Sequence, residues 1–315
     1  MKITRNILGI LTLALVLSGT IFSWKRLEAV ETTIPKSGDI LGTFAVGKNP
    51  VRVIFDGTNI WVTNINSDTV TKLRTRDGAT LGTFKVSSGP LDMAFDGTNI
   101  WVTNCNSGKI TKLRANDGAI LGTFEAGNFP FAIAFDGADI WVTNHSRNTV
   151  MKFRTSDGTK LGTFNVGTSA RDIIFDGKNI WTVNAGGNDV TKLRARDGVV
   201  LGTYRVGFGP RGIVFDGENI WTANFNSANV TKLRGNDGTK LATYAVGHNP
   251  RGIIFDGAYI WVTNYSSDNV MKLRVSDGAI LGTFATGVGP VGITFDGDNL
   301  WIVNYPSNTV MKMKR

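Results

Sequence analysis

"FDGTNIWVTNINSDTVTKLRTRDG", residues 55–78, returns along the chain in close copies. Its opening Phe-Asp-Gly triplet begins at Phe55, Phe95, Phe135, Phe175, Phe215, Phe255 and Phe295, a constant spacing of 40 residues. A period of this length marks repeated supersecondary units, each of which buries its apolar faces only against its neighbours. Each unit yields four strand signals. In the first these are "VRVIFDG" (51–57), "NIWVTN" (59–64), "VTKLR" (70–74) and "LGTFKV" (81–86). Asp56-Gly57 and Asp77-Gly78 are tight-turn dipeptides in which Gly supplies positive φ.

A four-stranded sheet that is apolar on both faces needs a cover on each. Stacking seven such sheets radially provides it, so the predicted fold class is all-β: a seven-bladed β-propeller of four-stranded antiparallel blades. The phase of the repeat predicts how the ring closes. The chain ends at Arg315, just after a third-strand signal, and "GDILGTFAVG" (38–47) is a fourth-strand signal with no third strand before it. The N-terminal strand is therefore expected as the outermost strand of the last blade. The domain expectation is residues 1–29 as a signal peptide or N-terminal membrane anchor, 30–38 as a linker, and 39–315 as the propeller.

The 315 residues are 42% hydrophobic, with 38 glycines and 8 prolines, a composition that suits a folded, turn-rich β protein. At the start, Lys2 and Arg5 precede an apolar run from Ile7 to Trp24, the grammar of an export signal. That run of 18 residues is also just long enough to span a bilayer. Cleavage after Ala29 and retention as an anchor both stay open, and either predicts an extracytoplasmic protein, secreted, periplasmic or at the cell surface. The membrane is expected to be touched only through this segment, and the protein is expected to be a monomer. Cys105 is the single cysteine, so no intramolecular disulfide forms and stability must come from packing.

The formal charge of +9 falls to about +6 once four cations and Glu28 leave with residues 1–29. Lys72/Arg74 and their counterparts in the other six third strands supply much of it. Seven-fold repetition spreads these charges around a rim instead of concentrating them on one surface, so nucleic acid is not an expected partner. They are expected to form a solvated outer edge.

The units resemble the blades of YVTN/NHL-type propellers and, more distantly, those of the virginiamycin B (streptogramin B) lyase family. The resemblance covers about residues 36–315 and implies the seven-bladed fold. It is weakly specific for function, because this architecture hosts enzymes, ligand binders and scaffolds alike.

Variation among the copies separates architecture from candidate sites. The Asp of Phe-Asp-Gly and the Asn that ends the second strand (Asn64 and its six counterparts) recur in every blade. They are expected to be structural, bonding turn backbone. Two loops vary: the fourth-to-first connection and the second-to-third connection, which lie on the same face of an up-and-down blade. Around the central mouth the first loop offers Arg52, Phe129, Phe131, Arg171, Arg211 and Arg251, with Phe208 nearby and His248 beside Pro250. Tyr265, Tyr305, Phe225 and His145 occupy matching positions of the second loop. Guanidinium presents a planar fork to carboxylate, phosphate or sugar-acid groups, and aromatic rings add apolar contact. The alternative is that the arginines only pair with Asp92 and Asp172.

The expected function is thus a non-catalytic exported propeller that binds a small anionic or carbohydrate ligand, or an extracytoplasmic protein, on its variable face without a cofactor. The competing reading is a metal-assisted lyase or hydrolase using a divalent ion with His248, Asp92 and Asp172. The streptogramin lyase resemblance implies histidine and glutamate on neighbouring late blades with a divalent metal. The chain departs from that pattern: one repeat after His248 stands Val288, and no glutamate follows Glu218.

Overall fold

The computed structural model describes residues 34–315. The signal or anchor segment (1–29) and the first part of the linker lie outside the described residues. After the short strand β1 (Ile40–Ala45), the first blade is built from β2 (Pro50–Phe55), β3 (Asn59–Asn64), β4 (Thr69–Arg74) and β5 (Thr80–Lys85). Strands β6 to β25 repeat this set through blades two to six, from Pro90 to Ala285. The last blade contributes β26 (Pro290–Phe295), β27 (Asn299–Asn304) and β28 (Thr309–Lys314), and β1 pairs antiparallel with β28 to complete it. The ring of seven four-stranded sheets therefore closes as the repeat phase predicts.

The invariant residues explain why each hairpin forms. Asp56 Oδ1 accepts the backbone N–H groups of Thr58 (2.8 Å) and Asn59 (2.6 Å), which fixes the β2–β3 turn. Its other oxygen accepts the indole N–H of Trp61 at 2.7 Å. One carboxylate thus ties a local turn to the largest core side chain, and all seven blades repeat the bond. Asn64 behaves differently from expectation. Its side-chain amide donates to Thr71 Oγ1 (3.0 Å) on the next strand, so it braces two strands more than it bonds turn backbone.

The core lies between blades. Trp61 and Val70 of the first blade pack with Ile100, Val102 and Leu113 of the second, and Trp301 and Val310 of the last blade pack with Val53 and Ile60 of the first. The seven tryptophans of the blades are fully buried. In each blade the tryptophan also meets an outer-strand aromatic ring, Phe84 on Trp61 at 5.6 Å for example. At the closure, Phe44 of β1 takes that place on Trp301, also at 5.6 Å.

One expectation is corrected here. The lysines of the third strands are not a solvated edge. Lys72 is 7% exposed; its ammonium lies over the Trp61 ring at 5.1 Å and donates to the carbonyls of Ala115 (2.7 Å) and Asn116 (3.0 Å) in the next blade. Lys312 makes the same clamp from the last blade onto Thr75 of the first. A repeating interface needs a donor for the carbonyls at the end of each neighbouring third strand, and a long cationic stem over an indole supplies it. The arginines two residues on do face solvent, paired locally as Arg74 is with Asp77 at 3.0 Å.

Candidate functional site: an arginine bowl at the channel mouth

The two variable loops of each blade are joined by backbone hydrogen bonds. Ile65 N donates to Asn49 O (3.2 Å), Cys105 N to Gly89 O (2.8 Å) and Tyr265 N to Asn249 O (3.1 Å). The accepting residue has positive φ in every blade: Asn49, Gly89, Phe129, Ser169, Gly209, Asn249 and Gly289. Beyond it the innermost strand skips register against its neighbour, between Pro50 and Val53 in the first blade and between Ala170 and Asp172 in the fourth. The irregularity lets two successive residues reach the channel, and they form two layers.

The deeper layer is an ion-pair bar. Arg52 Nε donates to Asp92 Oδ1 (2.5 Å), and its Nη2 donates to Asp92 Oδ2 (2.9 Å) and Asp172 Oδ1 (2.6 Å). Each aspartate also accepts a backbone N–H from the next blade, Asp92 from Ile133 and Asp172 from Ile213, both at 3.2 Å. Burial opposes charge on Arg52, but Asp172 and Asp92 more than offset it and hold the guanidinium protonated. Burial also pushes the Asp172 carboxyl above its usual range, with Arg52 opposing and Asp92 adding to the shift. Below the bar the channel is apolar, walled by Ile54, Ile174 and Ile254 among others.

The upper layer is a shallow bowl open to solvent, with Phe131, Arg171, Arg211 and Arg251 around it and Arg52 and Asp92 of the bar also lining it. Each of these arginines rests on an aromatic ring. Arg211 lies over Phe225 at 3.4 Å and Arg251 over Tyr265 at 5.8 Å, each within its own blade. The fourth blade has Ala185 at the matching position, so Arg171 leans on Phe131 of the third blade at 4.6 Å. Among the described residues none of the three makes an ion pair or side-chain hydrogen bond with a carboxylate, because Arg52 occupies both aspartates. Burial, then the charges of Arg211 and Arg251, lower the Arg171 guanidinium to about 9. Burial and Arg211 likewise lower Arg251 to about 10. Burial lowers Arg211 as well.

The structure brings together Arg171, Arg211, Arg251, Phe131 and Tyr265, with Phe129 tilted against Phe131 at 6.1 Å. Arg52 lines the same bowl but is engaged in the bar, whereas the three mouth arginines make no such pair among the described residues. Tyr305, like Tyr265, packs against the core between the last and first blades, and both stand near enough to Arg251 to bear on its charge. His248 is exposed on its loop, where its backbone N–H donates to Ser267 Oγ at 2.8 Å. It therefore stands apart from Asp92 and Asp172, which are committed to Arg52; among the described residues no three His, Cys, Asp or Glu side chains group as metal ligands. Phe225 and His145, named at the matching position of the second loop, also stand at the mouth, Phe225 under Arg211 and His145 beside Phe129 and Phe131. The same spacing of 14 residues separates Arg211 from Phe225, Arg251 from Tyr265 and Phe131 from His145.

Fold and mouth define a seven-bladed β-propeller with a cationic, aromatic-backed opening on its variable face. The family model described as outer membrane protein assembly factor BamB matches residues 56–283, and the chain belongs to that family of repeat propellers. No curated protein matches the chain. Among solved structures it is similar to Kuenenia stuttgartiensis hydrazine synthase, at 19% identity and a TM-score of 0.76, covering 91% of this chain and 99% of that one. A catalytically inactive virginiamycin B lyase from Staphylococcus aureus with quinupristin gives 17% identity and a TM-score of 0.75, over 87% and 99% of the two chains. A streptogramin B lyase gives 19% and 0.74, over 87% and 96%. At these identities the likeness is one of fold.

Proposed function

We propose that this protein is an extracytoplasmic, non-catalytic propeller that binds a small anion in the mouth formed by Arg171, Arg211 and Arg251. One observation carries the reading: three half-buried guanidinium groups converge without a carboxylate ion pair among the described residues, while the two nearby aspartates are held by Arg52. Bringing like charges together under partial burial costs stability, and a bound carboxylate or phosphate offsets that cost with charge-assisted, bidentate hydrogen bonds. The aromatic platforms under the guanidinium planes fix their orientation before an anion arrives. The N-terminal Lys2/Arg5 and apolar pattern, together with the outer-membrane description of the matched family, support a location outside the cytoplasm.

Calorimetric titration with inorganic phosphate and with a simple dicarboxylate tests the site. Each charge-assisted bond contributes about 1.5–3 kcal/mol, so removing one arginine weakens binding about tenfold to a hundredfold. The combined Arg171→Ala, Arg211→Ala and Arg251→Ala variant should bind neither probe. Unchanged affinity in that variant overturns the reading, and recovery of the protein from the cytosolic fraction overturns the location.

A further inference from the structure

The mouth is not symmetric. At the positive-φ step of the loop, six blades carry Asn, Gly or Ser, and the third carries Phe129 with φ of 60°. Left-handed backbone is strained for a bulky residue, and such strain persists where the surroundings make use of it. The Phe129 ring stands 6.1 Å from Phe131 and 5.9 Å from His145, and Phe131 stands 5.6 Å from His145. Neither Phe129 nor His145 packs into any of the seven interblade cores. Phe129 keeps 36% of its surface exposed, so the strain does not serve core packing. The third ring of the group, Phe131, lies under the Arg171 guanidinium at 4.6 Å, which places this aromatic wall against the arginine triad.

Resting on the anion-binding reading above, we infer that the mouth selects anions attached to a planar aromatic ring. The anionic end sits in the fork of Arg171, Arg211 and Arg251, and the ring packs face-on against Phe129 and edge-on against His145, whose planes are 59° apart. Burial, and secondarily the Arg171 charge, hold the His145 imidazole below its ordinary value, so near neutral pH the wall is an uncharged surface and not a fourth cation. A neutral wall of mutually tilted rings, with Phe129 exposed, beside a cationic fork recognises an aryl phosphate, phosphonate or carboxylate by apolar contact as well as charge.

Titration of the full-length protein with phenylphosphonate, cyclohexylphosphonate and inorganic phosphate tests this. Buffered at a pH where both are monoanions, the first two share charge and approximate size and differ in planarity. One aromatic pair corresponds to about a twofold to tenfold preference, which is the margin expected for phenyl over cyclohexyl. Phe129→Gly, a residue that the second, fifth and seventh blades use at this step, and His145→Ala should each reduce that preference and leave phosphate affinity unchanged. A Phe129→Gly melting temperature equal to or above that of the wild type shows that the loop still folds. Equal binding of the two phosphonates by the wild type, or a preference that survives both substitutions, overturns the aromatic inference while phosphate binding keeps the anion site. Failure of all three probes to bind overturns both.

Discussion

Arg52 of the first blade donates through Nη2 to Asp172 of the fourth, 2.6 Å away across the channel, while the same guanidinium holds Asp92 of the second. This guanidinium joins blades far apart in sequence and engages both aspartates, although Asp92 still lines the bowl and Asp172 still favours the charge on its neighbour Arg171. Removing one member of a buried charge cluster leaves uncompensated charge behind, at about 3–5 kcal/mol. Arg52→Leu should therefore lower stability by that amount in chemical denaturation. A loss below about 1 kcal/mol, the scale of an exposed pair, would show that the bar is solvated.

Asp172 gives the stability a pH dependence of known sign. Burial raises its folded value above the ordinary carboxylate, so the folded chain holds this proton more tightly than the unfolded chain does. Its contribution is then complete below about 3.9 and is lost as pH rises through the folded value. Asp172→Asn cannot ionise and should gain stability relative to the wild type as pH climbs from about 4 towards neutrality. Denaturation curves for both proteins across that window decide the point; a constant difference overturns it.

The paired cations of the third strand should separate cleanly on mutation. Lys72→Ala removes two hydrogen bonds to the next blade and an ammonium over Trp61. The expected cost is about 2–4 kcal/mol, from bonds to a charged group plus the cation–π contact. Arg74→Ala breaks an exposed pair with Asp77 and should cost about 0–1 kcal/mol. Melting temperatures of the two single variants provide the comparison.

Phe44→Ala and Phe164→Ala delete matched rings, stacked on Trp301 at 5.6 Å and on Trp141 at 5.4 Å. Each should cost about 3–5 kcal/mol. Phe164 sits on an outer strand joined to its own blade through a hairpin, whereas Phe44 sits on the strand that joins the first and last blades. Hydrogen exchange in Phe44→Ala should therefore rise in β28 and the last blade before the rest of the ring opens. Uniform exchange across all blades would mean that β1 does not govern closure.

Much of this was legible before the fold was known. The spacing of Phe55 and its copies requires identical wedges, and the unpaired "GDILGTFAVG" requires a closing strand. The aspartates of Phe-Asp-Gly read correctly as turn residues, although their bond to the tryptophan indole was not visible. The fate of the cations was less accessible. Lys72 and Arg74 share a face of the strand by alternation, yet one is a buried clamp on the next blade's carbonyls and the other, at the strand's end, pairs with Asp77 of its own turn.

The site shows the same limit at one-residue resolution. Arg52 and Arg171 stand one step apart in the repeat, so the register skip sends the first into the bar with Asp92 and Asp172 and leaves the second at the mouth. The amino-acid sequence by itself determined the number of blades, their turns and the mode of closure, since each follows from local pattern repeated at a fixed period. Only the tertiary structure decided which arginines are spoken for and which stand free, because charge pairing across a channel depends on distances between residues up to 120 positions apart.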